Sequence, residues 1–274
     1  MTINCNGKLI SMDQPKVMGI LNITPDSFYD GGKHADEKSV LLHIEQMLKE
    51  GATFIDIGAY SSKPGASNVT EELELKRILP IVNAVRKQFP HALLSIDTFR
   101  SKVAKECVAS GASIINDISA GLQDSNMLPT VAALNVPYVM MHMRGTPQSM
   151  QQQTDYKDLV KEIVLFFSER TAAAKSYGIK DIIIDPGFGF AKTLEQNYQL
   201  LQQLDFLNIL DYPILAGISR KSMIYKLLKT TPENALNGTS ALHMVCLDKG
   251  AKLLRVHDVK EAMECVQLYE QLNA

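Results

Sequence analysis

Eight times along this chain of 274 residues, a short apolar run ends in a polar residue and gives way to a loop. The runs are Val17–Ile23, Phe54–Gly58, Ala92–Asp97, Ser113–Ile118, Pro137–Met141, Asp181–Asp185, Pro213–Ser219 and Leu253–His257. They are mostly β-branched or aliphatic and do not alternate, as expected of parallel strands covered on both faces. Helical periodicity lies between them. Lys38–Glu50 spaces Val40, Leu41, Ile44, Met47 and Leu48 by threes and fours and stops at Gly51. Glu71–Gln88 follows Thr70, a candidate N-cap, and opens with acidic residues that suit the helix dipole. Asp158–Tyr177 repeats the stripe and stops at Gly178, and Val259–Leu272 closes the chain. Strands alternating with helices build a parallel sheet, and eight strands close into a (β/α)8 TIM barrel, for which about 250 residues is typical. An open doubly wound sheet is the alternative. The first dozen residues predict a small extension or hairpin before the first barrel strand. No linker or low-complexity tract interrupts the chain, so residues 1–274 are expected to form one domain.

Composition narrows the possible functions. A net charge of −2 offers no electrostatic footprint for nucleic acid or an anionic membrane. No N-terminal signal segment and no run of about 18 apolar residues occurs, so a soluble, cytoplasmic protein is expected. Cys5, Cys107, Cys246 and Cys265 are widely spaced and form no C-x-x-C pair, which fits reduced, buried thiols. Gly187-Phe188-Gly189-Phe190 lacks the third glycine of a dinucleotide fingerprint, and no Walker, G-x-S-x-G or H-E-x-x-H motif is present. His34, His43, His91 and His243 have no metal-ligand spacing and read as ordinary surface or helix residues.

In such a barrel the active site sits at the carboxyl ends of the strands. The runs end in Asn22, Asp56, Asp97, Asn116, His142, Asp185, Ser219-Arg220-Lys221 and Arg255-Val256-His257. Unpaired carboxylates in a barrel mouth cost several kcal/mol, so this many need one another or a polar ligand. Asp56, beside the Gly58–Gly65 loop, reads as a loop anchor. Asp97, Asn116, Asp185 and Lys221 combine acceptors, an amide and a cation, a set suited to a flat heterocycle with N–H donors and ring acceptors. Loops after strands 7 and 8 are the habitual phosphate site of the fold, where Ser219-Arg220-Lys221 and Arg255-Val256-His257 supply cations. For Arg255, a surface ion pair with a helix carboxylate is the competing reading.

These same residues spell out a family pattern. Met18-Gly-Ile-Leu-Asn22-Ile-Thr24-Pro-Asp26-Ser-Phe28-Tyr-Asp30-Gly-Gly32 resembles the first signature of the dihydropteroate synthases. Ser95-Ile-Asp97-Thr, Ile115-Asn116-Asp117, Met141-His-Met-Arg144, Asp185-Pro-Gly-Phe-Gly-Phe190, Gly217-Ile-Ser-Arg-Lys221 and Arg255-Val-His257-Asp258 continue it over nearly the whole chain. The resemblance implies condensation of 6-hydroxymethyl-7,8-dihydropterin diphosphate with p-aminobenzoate to give 7,8-dihydropteroate and pyrophosphate, in folate biosynthesis, in a homodimer. It assigns Asp97, Asn116, Asp185 and Lys221 to the pterin ring, and Asn22 to a magnesium ion. Arg255 and His257, with Ser62 and Lys63, would hold the diphosphate, and Thr24, Ser219 and Val256 would be further substrate contacts. Phe190, Lys221, Ser222, Phe28 and Pro64 would shape the p-aminobenzoate pocket. Asp30, Lys221, Arg255 and His257 are the implied catalytic groups.

One stretch departs from the family. Its second loop reads D-I-G-G-E-S-T-R-P-G-A, whereas this chain has Asp56-Ile-Gly-Ala59-Tyr60-Ser61-Ser62-Lys63-Pro64-Gly-Ala66. Ser62 keeps a hydroxyl, and Lys63 keeps a charge without the planar fork of arginine. Tyr60 in place of glutamate has no reading from sequence. Two rivals stand beside the synthase: a pterin-binding methyltransferase domain, which needs no diphosphate clamp, and a non-catalytic pterin-binding paralogue.

Overall fold

The computed structural model describes residues 1–23, 33–60 and 69–274, with the backbone alone at 33–36. Strands β1 (Thr2–Cys5) and β2 (Lys8–Ser11) pair antiparallel as a hairpin. Eight parallel strands then close a barrel: β3 (Lys16–Asn22), β4 (Phe54–Gly58), β5 (Leu93–Asp97), β6 (Ile114–Asp117), β7 (Tyr138–Met141), β8 (Ile182–Asp185), β9 (Ile214–Ala216) and β10 (Ala251–Val256). The barrel expected from sequence is present, and the open sheet is excluded. Among the described residues, helices α1 (Lys33–Lys49), α2 (Glu71–Gln88), α3 (Ser101–Ala109), α4 (Met127–Leu134), α5 (Leu159–Ser176), α6 (Leu194–Gln202), α7 (Ser222–Tyr225), α8 (Leu236–Asp248) and α9 (Val259–Leu272) fill the crossovers.

Local chemistry explains the boundaries. Thr70 caps α2, its Oγ1 accepting from Leu73 N at 3.3 Å, and Glu71, Glu72 and Glu74 occupy the positive end of the dipole. The apolar run expected to reach Ser219 ends its strand at Ala216, and Arg220, four residues on, takes a left-handed φ of +54°. Strand side chains alternate between faces. Outward residues such as Ile55, Ile57, Leu94, Ile96 and Met140 pack against the helices. One inward residue per strand (Met18, Phe54, Leu93, Ile114, Val139, Ile183, Leu215 and Leu253) forms a sealed bottom layer. The hairpin stops the lower end of the barrel by adding Ile3, Cys5, Ile10 and Met12 to that layer. Two residues further along each strand, the same face carries Ile20, Asp56, Ser95, Asn116, Met141, Asp185, Gly217 and Arg255. The interior thus changes from apolar to polar within one step of the pleat.

All four cysteines are buried thiols, as the spacing implied. His243 departs from expectation: it lies on α8 but is buried, with Nε2 unpartnered among the described residues. Among the described residues no helix is long and apolar enough to cross a membrane.

Candidate active site

The polar layer forms the floor of the barrel mouth. Asp56, fully buried, accepts from Asn116 Nδ2 at 3.0 Å and from Arg255 Nε at 2.6 Å through the same oxygen. Its other oxygen, Oδ1, and the hydroxyl of Ser95 are buried with no partner among the described residues. Asp56 is therefore part of the floor and not the loop anchor expected, since its place in β4 turns it inward. Arg255 also donates from Nη2 to Asp97 Oδ2 at 2.8 Å. Its partners are strand carboxylates inside the mouth, not the helix carboxylate of the competing reading. The diphosphate expected on Arg255 would have to share a guanidinium that already serves two carboxylates, through those donors left over from Nε and Nη2.

Electrostatics follow from this crowding. Burial pushes Asp97 up to about 7; Arg255 opposes the shift and Asp56 adds to it. Burial also raises Asp185, with Lys221 and the Gly187 amide pulling the other way. Lys221 is pushed down to about 8 by burial, against the attraction of Asp185. Arg255 stays cationic, because Asp56 and Asp97 outweigh the effect of burial. The mouth holds its charge under tension that a matching ligand would relieve.

Asp185 and Lys221 meet over a glycine. Asp185 Oδ1 accepts from Gly187 N at 2.8 Å. A side chain added at Gly217 would come within 3.7 Å of Asp185 Oδ2 and 3.9 Å of Lys221 Nζ, so the glycine keeps the space beside both groups open. Lys221 also donates to the Phe188 carbonyl and lies 4.7 Å from the centre of the Phe190 ring. Phe190, half-buried, packs against a rim of Ile118, Met141, Met143, Met150 and Ala191. That rim provides an apolar wall beside the polar floor.

The remaining expected residues divide three ways. Ser219 Oγ and His257 Nδ1 are 3.0 Å apart, which joins the loops after β9 and β10. Ser222 opens α7 directly after Lys221. Val256 packs its side chain outward into the core, so only its backbone can face a ligand. Arg220, expected among the phosphate-binding cations, instead turns to Asp258 in a two-pronged pair at 2.8 and 2.7 Å and to the carbonyls of Pro232 and Glu233. Its left-handed backbone aims it off the mouth, so it fastens the two loops to each other. Asn22 is exposed at the end of β3. Thr24, Phe28, Asp30, Ser62, Lys63 and Pro64 lie outside the described residues.

Tyr60 acquires a reading here. Its ring meets Phe99 edge-on at 5.0 Å, Arg100 lies 5.4 Å from its centre, and its hydroxyl accepts from Gln148 at 3.1 Å. The tyrosine ties the ends of β4, β5 and β7 together at the rim. Ser95 and Lys192 were missed from sequence. Ser95 stands two residues before Asp97, so strand periodicity could have placed it on the same face. Nothing in the sequence marked Lys192 as buried.

Known proteins match this arrangement along its length. The family profile for pterin binding enzymes covers residues 18–257. The dihydropteroate synthase of Haemophilus influenzae is 42% identical over 272 residues, covering 98% of each chain. A crystal structure of the Yersinia pestis dihydropteroate synthase with a sulfonamide drug superposes with a TM-score of 0.93 at 41% identity, covering 100% of this chain and 99% of that one. The Xanthomonas albilineans dihydropteroate synthase with 4-aminobenzoic acid superposes with a TM-score of 0.92 at 40% identity, covering 100% and 98%. With polar floor, apolar rim and full-length similarity in agreement, the chain belongs to the dihydropteroate synthases of the pterin-binding enzyme family.

Proposed function

We propose that this protein, as a single-domain cytoplasmic homodimer, condenses 6-hydroxymethyl-7,8-dihydropterin diphosphate with p-aminobenzoate to give 7,8-dihydropteroate and pyrophosphate. The observation that carries this reading is the floor itself. Asp97, Asn116 and Asp185 converge around buried oxygens of Asp56 and Ser95 that lack partners, with Lys221 beside them. The N–H edge of a pterin supplies donors for the Asp97 and Asp185 carboxylates, which burial otherwise pushes toward the protonated form. The exocyclic amine and adjacent ring N–H would pair with the Asp185 carboxylate.

The favoured chemistry is dissociative. The bond between the pterin methylene and the diphosphate oxygen breaks, its electron pair leaves with pyrophosphate, and the pterin ring shares the positive charge. The amine nitrogen then forms the new bond to the methylene and loses a proton. Asp97 and Asp185 favour the cationic ring, and Arg255 and His257 receive the charge gathering on the leaving group. Phe190 and the methionine rim exclude water, which would otherwise capture the cation as the alcohol. Asp30, Thr24, Phe28, Ser62, Lys63, Pro64 and Ser222 complete the reading as its proposed loop and pocket contacts.

Magnesium fits this site in one respect. The Asn22 side chain offers a hard oxygen at the exposed rim. Among the described residues no group of three or more His, Cys, Asp or Glu could hold a metal, so the ion's other ligands would be diphosphate oxygens and water. When bound, it would neutralise charge on the diphosphate. Pyrophosphate release from the pterin diphosphate, measured with and without p-aminobenzoate, tests the reaction. Release coupled to pteroate formation supports it, and no turnover with both substrates refutes it. Scrambling of an oxygen label from the bridging to the outer positions of the diphosphate, without amine, tests the dissociative order.

A further inference from the structure

Lysine is almost never fully buried without partners, yet Lys192 is 3% exposed. Its Nζ lies 3.0 Å from the Gly187 carbonyl, 3.0 Å from the Phe190 carbonyl and 3.0 Å from His142 Nδ1. An ammonium has three donors and no acceptor, so every N–H of Lys192 is used. His142 can accept because burial, with Lys192 and Arg144 nearby, holds its pKa well below the ordinary value and keeps the ring neutral. Burial likewise pushes Lys192 down to about 7, against the attraction of Asp185.

Both carbonyls belong to the segment between Asp185 and Lys192, which has no regular structure to hold it. Gly187, Gly189 and Ala191 take φ values of +72°, +81° and +48°. The segment presses against the end of β7 so closely that a Cβ at Gly187 would lie 2.1 Å from the His142 carbonyl oxygen. Toward the mouth it presents the Gly187 amide on Asp185, the Phe188 carbonyl on Lys221 and the Phe190 ring under Lys221. Lys192 stands behind all of these and takes part in none of them. A second anchor, the Tyr156 hydroxyl, donates to the Ala191 carbonyl at 2.9 Å.

We propose that Lys192 is a positioning residue: its ammonium sets the 187–191 segment, and through it the Phe190 ring and Lys221, for the aromatic amine. This rests on the reaction proposed above. Asp185 keeps its place at the end of β8, although the Gly187 amide and the charge of Lys192 bear on it, so loosening the segment should disturb both substrates and the amine more.

The experiment compares Lys192→Met and Tyr156→Phe with the wild-type enzyme. KM for p-aminobenzoate, kcat and the Kd of pterin diphosphate are read alongside amide hydrogen exchange over residues 186–192. For Lys192→Met, we expect KM for the amine to rise about tenfold to a hundredfold, the range produced by displacing a binding group by roughly an ångström. The pterin Kd should change far less, and exchange should quicken in the segment but not in β8. Tyr156→Phe, which removes a single outer hydrogen bond, should shift the same quantities in the same direction by a smaller factor. If Lys192→Met fails to fold, Lys192→Arg, which keeps the charge but cannot seat one nitrogen against all three partners, decides the matter by the same readouts. An unchanged amine KM in the folded variants overturns the proposal, as does an equal loss for both substrates with exchange quickened throughout. A wild-type enzyme without turnover would refute the reaction instead, and the exchange data would still show whether Lys192 holds the segment.

Discussion

At Asp97, burial pushes the carboxyl up to about 7 while Arg255 holds it partly down and Asp56 lifts it again. Lys221, across the floor, sits at about 8. If a pterin that becomes cationic needs Asp97 ionised and Lys221 protonated, kcat/KM for the pterin diphosphate should be bell-shaped, rising through about 7 and falling through about 8. Asp97→Asn should abolish the acid limb and lower kcat/KM by about 10- to 100-fold, since a hydrogen bond to a charged group contributes about 1.5–3 kcal/mol. An acid limb that survives in Asp97→Asn would assign it to another group. Stability should show the linked effect. A carboxyl whose folded pKa is raised binds its proton more tightly when folded, so this group favours the fold at low pH. That contribution is lost as pH rises from the model-compound value of 3.8 to about 7. Thermal melts of the free protein should therefore fall less across that window in Asp97→Asn than in the wild type. The residues of this floor were legible because carboxylates, amides and cations ended the strand patterns. Their partners were not. The Arg255–Asp56 pair joins residues 199 positions apart and depends on the shear of a closed barrel, which no local pattern encodes.

The elements show where pattern was enough and where it failed. Phe54–Gly58, Glu71–Gln88 and Val259–Leu272 fold within the limits their spacing set; Thr70 caps the second with its side chain, whereas the third opens after Asp258 without a side-chain cap. Helices α3, α4, α6 and α7 carry 9, 8, 9 and 4 residues, too short for an apolar stripe to repeat clearly. The strands were read as continuous apolar runs, and that hid the alternation which separates floor from outer wall. The N-terminal hairpin was legible as an extension but not as a stopper. Its function in the fold can be tested, because Ile3 is 2% exposed and packs into the bottom layer, which stands between the hairpin and the polar floor. Ile3→Ala should cost about 2–5 kcal/mol of stability, as for other large-to-small core changes. Denaturant unfolding should show that loss, while kcat and both KM values measured well below the melting temperature stay at wild-type levels. A fall in kcat without a fall in stability would mean that the stopper reaches the chemistry.

For the whole molecule, the barrel separates the source of stability from the source of function. The bottom layer and the helix-facing shell are apolar and closed, while the mouth concentrates buried charge and oxygens lacking partners. The free protein therefore gives up stability at one end, and a ligand that satisfies that end should return it. Binding at a hundredfold excess over Kd stabilises the native state by about 2.7 kcal/mol. For a chain somewhat longer than 250 residues, each kcal/mol moves Tm by roughly 2–4 °C, so a rise of about 5–10 °C is expected with a dihydropterin or its diphosphate. p-Aminobenzoate alone meets only the apolar rim and Lys221, and leaves the Asp97 and Asp185 carboxyls as they were. It should shift Tm by much less at the same concentration, and more once the pterin and pyrophosphate sites are filled. Differential scanning calorimetry with each ligand separately and together makes the comparison. An equal shift from p-aminobenzoate alone would show that the charged floor is not where binding energy is gained. The division between a sealed base and a receptive mouth would then lose its functional meaning.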